Sequence, residues 1–235
     1  MVYLYQYPRL KNCPNLSPYA LKMETMFRVY NIPYEIIQTM TKKPKNGGHI
    51  PYIELNGEQI AEPDLIEMKI KSHFNIPKLS DEQEAQAVAI TRMAENHLLF
   101  VLIIYKIAVS KFYSTAVEAL SIPGFTKPVV GFFMSQFLPG RIKSLSKNAI
   151  GHFDEKELDV ILHRDLKTIE NLLINRKFLF GDKMTCADAT VFGQLASCYY
   201  PFDNHLRQVI DRGFPRLKIY MEDIIEQVYP NDFSL

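Results

Sequence analysis

The chain has 235 residues, and 27 lysines and arginines against 26 aspartates and glutamates leave a formal charge of +1. Hydrophobic residues make up 47% and charged residues 23%, an ordinary globular composition that excludes disorder, collagen-like repeats and the basic footprint of a nucleic-acid binder. At roughly 150 residues per domain this is one large domain or two small ones, and the odd, scattered set Cys13, Cys186 and Cys198 argues against a disulfide scaffold and for a reducing compartment.

Residues 1–8 lack the basic leader and small-residue cleavage site of a signal peptide. Residues 2–6 alternate Val2 and Leu4 with Tyr3 and Tyr5, the period of two expected of a strand. After a loop holding Pro8, Cys13 and Pro14, Ser17-Pro18 opens a helix: serine is a good N-cap and proline suits the first helical position. Ala20, Met23, Phe27 and Tyr30 recur at spacings of three and four, predicting one buried stripe. Asn31-Ile32-Pro33 stops this helix, and residues 34–38 read as a second strand. A loop with Lys42, Lys43, Lys45, Gly47 and Gly48 follows. Residues 51–55 and 58–61 then flank Asn56-Gly57, the dipeptide of a type I′ hairpin turn. Pro63 opens a helix over 65–74, and the stretch 75–79 is the expected linker between a domain at 1–75 and a second at 80–235.

The second part holds no convincing strand. Ser80 with Gln83 forms a capping-box pattern that starts a long helix reaching about Lys111. Its apolar run 98–109 carries Lys106 and is shorter than the ~20 residues a bilayer requires, so a buried core helix is expected and no transmembrane anchor. The run 129–138 is shorter still. A further helix spans 154–173, with Leu158, Ile161, Leu162, Leu166, Ile169 and Leu173 on one face. Thr185 and Asp188 have the spacing of a cap ahead of the apolar segment 189–199, and Pro215 begins a last helix ending near Val228.

The order strand, helix, strand, strand, strand, helix, followed by helices alone, resembles the glutathione transferase superfamily. That fold is an α/β thioredoxin-like N-terminal domain followed by an all-α C-terminal domain. Ile50-Pro51 matches the family's cis-proline, Thr185 to Asp188 its capping box in the helical domain, and Phe214 to Tyr220 its last motif. Tyr3-Leu4-Tyr5-Gln6, Leu16-Ser17-Pro18-Tyr19, Leu21 to Thr25, Pro51 to Gly57 and Asp188 to Leu195 are similar to the failed-axon-connections and nematode cadmium-responsive branch, with the metaxins more distant. The resemblance covers nearly the whole chain.

It implies glutathione as cosubstrate, hydrophobic electrophiles as partners, room for a homodimer, and a cytoplasmic home with a part in detoxification or stress responses. It implies no metal, and the six histidines lack metal-ligand spacing. Because the fold also hosts carriers and assembly subunits, a non-catalytic interaction protein is the competing expectation.

Ser17 stands where redox members carry a nucleophilic cysteine, and Ala20 where they carry the second, so dithiol chemistry is excluded at this motif. The serine-type role remains, in which the hydroxyl donates to the glutathione sulfur; the bland alternative is a plain N-cap. A free thiol near pKa 8.5 is only a few per cent ionised at pH 7. A helix N-terminus contributes up to ~2 kcal/mol to an anion, about 1.5 pKa units, which with one hydroxyl donor brings the thiol close to half-ionised. Ile50 before Pro51 would offer its backbone to the ligand's cysteinyl unit. Glu62 matches the acidic residue that holds the γ-glutamyl amine, whereas Pro63 replaces the family's serine and removes a hydroxyl and a backbone N–H. Hydrogen bonds to a charged group contribute ~1.5–3 kcal/mol each, so weak glutathione binding is expected. Cys13 is an alternative nucleophile, the ligand is expected to lie between these residues and Tyr105 on the long helix, and the sequon at Asn15 is read as coincidence.

Overall fold

The computed structural model describes residues 1–10, 12–45, 47–108, 117 and 127–233. Four strands form one mixed sheet in the order β2-β1-β3-β4. β1 (Val2–Gln6) runs parallel to β2 (Tyr34–Gln38) and antiparallel to β3 (Tyr52–Leu55), which pairs in turn with β4 (Glu58–Ile60). The β3–β4 turn is Asn56-Gly57, with φ of 53° and 81°, the positive values a type I′ turn demands. Val2 and Leu4 are buried on one face of β1, against Met23, Met26 and Phe27 of α1 (Pro18–Val29) and Ile66 and Ile70 of α2 (Pro63–His73). No helix lies among the described residues 39–51, where Gly and Pro disfavour one. The other sheet face therefore leaves Tyr3 exposed and Tyr5 stacked on Tyr52 at 4.4 Å.

The helical part comprises α3 (Asp81–Met93), a π-helical turn (Ala94–Leu98), α4 (Leu99–Ala108), α5 (Lys127–Ile150), α6 (Glu155–Leu172), α7 (Cys186–Tyr199), α8 (His205–Gly213) and α9 (Pro215–Val228). Ser80 caps α3 with the expected capping box. The helix from 81 onward differs from a plain α-helix at its π turn, and its expected end at Lys111 lies outside the described residues. By length and composition Asp81–Ala108 would suffice to cross a membrane, but Leu98, Val101 and Leu102 are buried in the same core as Leu162, Leu166 and Leu195. Asp188 anchors the start of α7: it accepts from the Thr185 N–H (2.8 Å), the Thr185 hydroxyl (2.7 Å), the Leu179 N–H (2.9 Å) and the Tyr220 hydroxyl (3.1 Å).

The expected single stripe of α1 is a correction in kind. Lys22, Glu24 and Thr25 are buried along with Ala20, Met23 and Phe27, because α1 lies between the sheet and α7. At Gly193 of α7 an added Cβ would come within 2.5 Å of the Pro18 carbonyl, so the two helices touch backbone to backbone. Lys22 pairs with Glu67 of α2 at 3.0 Å and with Glu95 of the π turn at 2.9 Å, which satisfies a cation that burial would otherwise penalise heavily.

Candidate functional site

Ser17 is the N-cap of α1, its hydroxyl accepting from the Ala20 N–H at 3.4 Å. Its own N–H donates to Asn15 Oδ1 at 2.9 Å, and Asn15 Nδ2 donates to the Tyr7 carbonyl at 2.9 Å. Asn15 is wholly buried, so its amide serves as an internal brace for the loop before α1. That brace was not legible in the sequence, where Asn15 stood out only as a sequon. The same loop buries Cys13, whose thiol burial pushes up to about 12. The alternative nucleophile is therefore corrected: Cys13 packs in the helical core, donating to the Asn15 carbonyl at 3.4 Å, and is closed to solvent.

The Ile50–Pro51 bond is cis, as expected. Tyr5 pairs with Tyr52 across the β1–β3 ladder, so Ile50-Pro51 enters β3 beside the chain that leaves β1 for Ser17. Glu62 is the N-cap residue of α2, with an exposed side chain that makes no capping bond. Gly48, at φ +104°, lies against it: a Cβ there would sit 2.6 Å from Ala61 Cβ and 3.9 Å from Glu62 Oε1, so only glycine lets this loop approach. Pro63 occupies the first position of α2. Asp64 forms an ion pair with Arg92 of α3, which offsets the extra negative charge beside Glu62. The Tyr19 phenol, raised to about 12 by burial and by the nearby carboxylates of Glu95, Asp64 and Glu62, stays protonated at neutral pH.

Tyr105 is not part of this arrangement. Its ring packs on His205 of α8 at 5.0 Å, and its hydroxyl feels Asp159 and Glu155 of α6; the side chain of that helix that reaches the Ser17 loop is its neighbour, Lys106, 2.8 Å from the Leu16 carbonyl. A groove of about 1090 Å³ lies elsewhere, between α2, the 75–79 stretch, α3 and residues 183–187, lined by Met68, Lys71, Leu79, Val88, Met184 and Cys186. Ser17, Ile50 and Glu62 do not border it, so its size says nothing about their chemistry. Lys42, Lys43 and Lys45 are exposed. Among the described residues no three His, Cys, Asp or Glu side chains gather as metal ligands.

Residues 18–112 match the model of the glutathione S-transferase N-terminal domain, and residues 162–224 that of the C-terminal domain. The chain is 29% identical over 212 residues to Failed axon connections of Drosophila melanogaster, covering 85% of this chain and 50% of that protein; it thus spans about half the length of this relative. It is 22% identical over 240 residues to the isoprene-epoxide–glutathione S-transferase of Rhodococcus sp. strain AD45, covering 97% and 98% of the two chains. Among solved structures, a glutathione S-transferase of Ceriporiopsis subvermispora in complex with glutathione superposes with a TM-score of 0.66 at 15% identity, covering 96% of this chain and 98% of that one. With both family domains matched in order on the fold they require, the chain belongs to the glutathione S-transferase superfamily, on the branch that includes Failed axon connections.

Proposed function

We propose that this protein binds glutathione at the shelf formed by Ser17, Ile50-Pro51 and Glu62, and conjugates it to small hydrophobic electrophiles. The observation that carries this reading is the Ser17 hydroxyl at the N-terminus of a twelve-residue helix in a chain whose Ile50–Pro51 bond, leading into β3, is cis. The residues fit such a ligand in part. The α1 terminus and the Ser17 hydroxyl favour an anionic sulfur, the Ile50 backbone offers pairing to a peptide, and Glu62 is exposed to meet an ammonium. Pro63 withholds the hydroxyl and N–H that would hold a carboxylate. When bound, glutathione supplies the thiolate that opens a carbon–oxygen or carbon–halogen bond. The chain's part is to lower that thiol's pKa and to orient it. An epoxide is the first electrophile to test, because the Rhodococcus relative is named for one.

Pro63 also motivates the second reading, a glutathione-transferase-fold carrier or interaction protein without catalysis, as does similarity to Failed axon connections. Ser17→Ala separates the two. If the first reading holds, turnover with glutathione and a small epoxide falls about tenfold or more, while glutathione affinity changes less. Equal activity in both forms removes Ser17 from the chemistry, and no turnover in the wild type favours the carrier. We further propose a cytoplasmic homodimer joined through α2 and α3, where Leu65, Met68 and Val88 are 55%, 66% and 50% exposed; sedimentation equilibrium that finds only monomer rejects the dimer.

A further inference from the structure

Lys106 of α4 is 7% exposed, and among the described residues no carboxylate lies within ion-pair reach of it. Its ammonium donates instead to the Leu16 carbonyl at 2.8 Å and to Ser197 Oγ of α7 at 3.3 Å. Its titratable neighbours are the thiols of Cys198 and Cys13. Burying a cation without a counter-charge is costly, so the hydrogen bonds it makes are what hold it there.

The Leu16 carbonyl belongs to the same peptide unit as the Ser17 N–H. That N–H donates to Asn15 Oδ1 at 2.9 Å, and the carbonyl accepts from Lys106. Both polar atoms of one peptide plane are thus fixed, one by the loop itself and one by a side chain from the helical half. Fixing that plane sets the orientation of the residue that follows, and the residue that follows is the cap of α1. We infer that Lys106 is a positioning residue that locks the Leu16–Ser17 peptide from the helical part of the molecule and so sets the bearing of the Ser17 hydroxyl. Burial lowers the ammonium's pKa from the ordinary lysine value. The amine donates in either protonation state, so the lock does not require the charge. The use of Ser17 in conjugation rests on the function proposed above; the lock itself does not.

The test is amide hydrogen exchange on the whole chain, wild type against Lys106→Met, with glutathione turnover measured in parallel. Methionine is of similar length and apolar, so it fills the space of the lysine stem while the Leu16 carbonyl and Ser197 hydroxyl lose its donor. The melting temperature should therefore fall by several degrees while the chain stays folded. Exchange of the Ser17 and Ala20 amides, the two that donate within this cap, should rise at least tenfold, with that of α6 and α9 unchanged, and kcat should fall severalfold with KM for glutathione within about twofold. Unchanged exchange at Ser17, or an equal rise throughout both halves, overturns the proposal. If Lys106→Met does not fold, Lys106→Leu, which also lacks a donor, is put through the same comparison under the same criteria. A wild type without glutathione turnover defeats the conjugation reading alone, because the exchange result still decides the lock.

Discussion

Cys13 and Ser17 share one loop, and their surroundings divide the chemistry between them. Cys13 lies wholly inside the helical core, where loss of hydration disfavours the thiolate. With its thiol pushed up to about 12, the thiolate is scarce at pH 8. Native protein should therefore resist alkylation of Cys13 by iodoacetamide at pH 8, mass spectrometry showing the peptide unmodified until denaturant is added. Rapid labelling of Cys13 in the folded state would restore it as a nucleophile. Ser17 caps a helix with a hydroxyl that accepts from the Ala20 N–H through a lone pair, so the O–H remains available as a donor. Sequence alone identified the cap, because serine before proline has few other uses. It did not identify Asn15 or Lys106, since a brace made by one amide and a buried lysine from a distant helix leaves no periodic trace.

At the scale of elements, the α1–α7 seam determines how the site is held. An added methyl on Gly193 would lie 2.5 Å from the Pro18 carbonyl and 2.9 Å from the Lys22 nitrogen, both backbone atoms that cannot rotate away. Gly193→Ala should cost roughly 1–3 kcal/mol as the helices separate and lower the melting temperature by several degrees. An unchanged melting temperature would mean that the helices are not in backbone contact. The strands, the hairpin and the caps of α1, α3 and α7 were legible because alternation, Asn56-Gly57 and cap residues act locally. The π turn was not, since its sequence keeps the apolar pattern of an ordinary helix. Its cost to the reading is specific. A π turn takes up one additional residue and displaces later side chains by about 100°, so Lys106 occupies the bearing that an unbroken helix would have given Tyr105. Likewise Lys22 and Glu24 lie outside the predicted stripe of α1, and their partners, Glu67, Glu95, Arg9 and Arg28, are brought in by the tertiary fold.

Taken as a whole molecule, the sheet-bearing part and the helical part share α1. The helix is buried from Ala20 to Phe27, Lys22 is paired to both parts, and the C-terminal Asp232 reaches back to pair with Arg9 and Arg28. A fragment of residues 1–78 would expose the α7-facing side of α1 and leave Lys22 with one carboxylate partner. It should fail to show a cooperative melting transition, whereas the intact chain should melt in one; a stably folded fragment would contradict this. At the start of α2, Asp64 pairs with Arg92, and serine is well tolerated at a helix start, so Pro63→Ser should keep the helix. The central claim, that the shelf accepts glutathione and that Pro63 limits how tightly, is tested most directly by calorimetric titration of glutathione into the wild type and Pro63→Ser. Glutathione should bind weakly to the wild type and at least about tenfold more tightly to the variant, roughly 1.4 kcal/mol. Tight binding to the wild type that Pro63→Ser leaves unchanged, or no binding to either form, would contradict it.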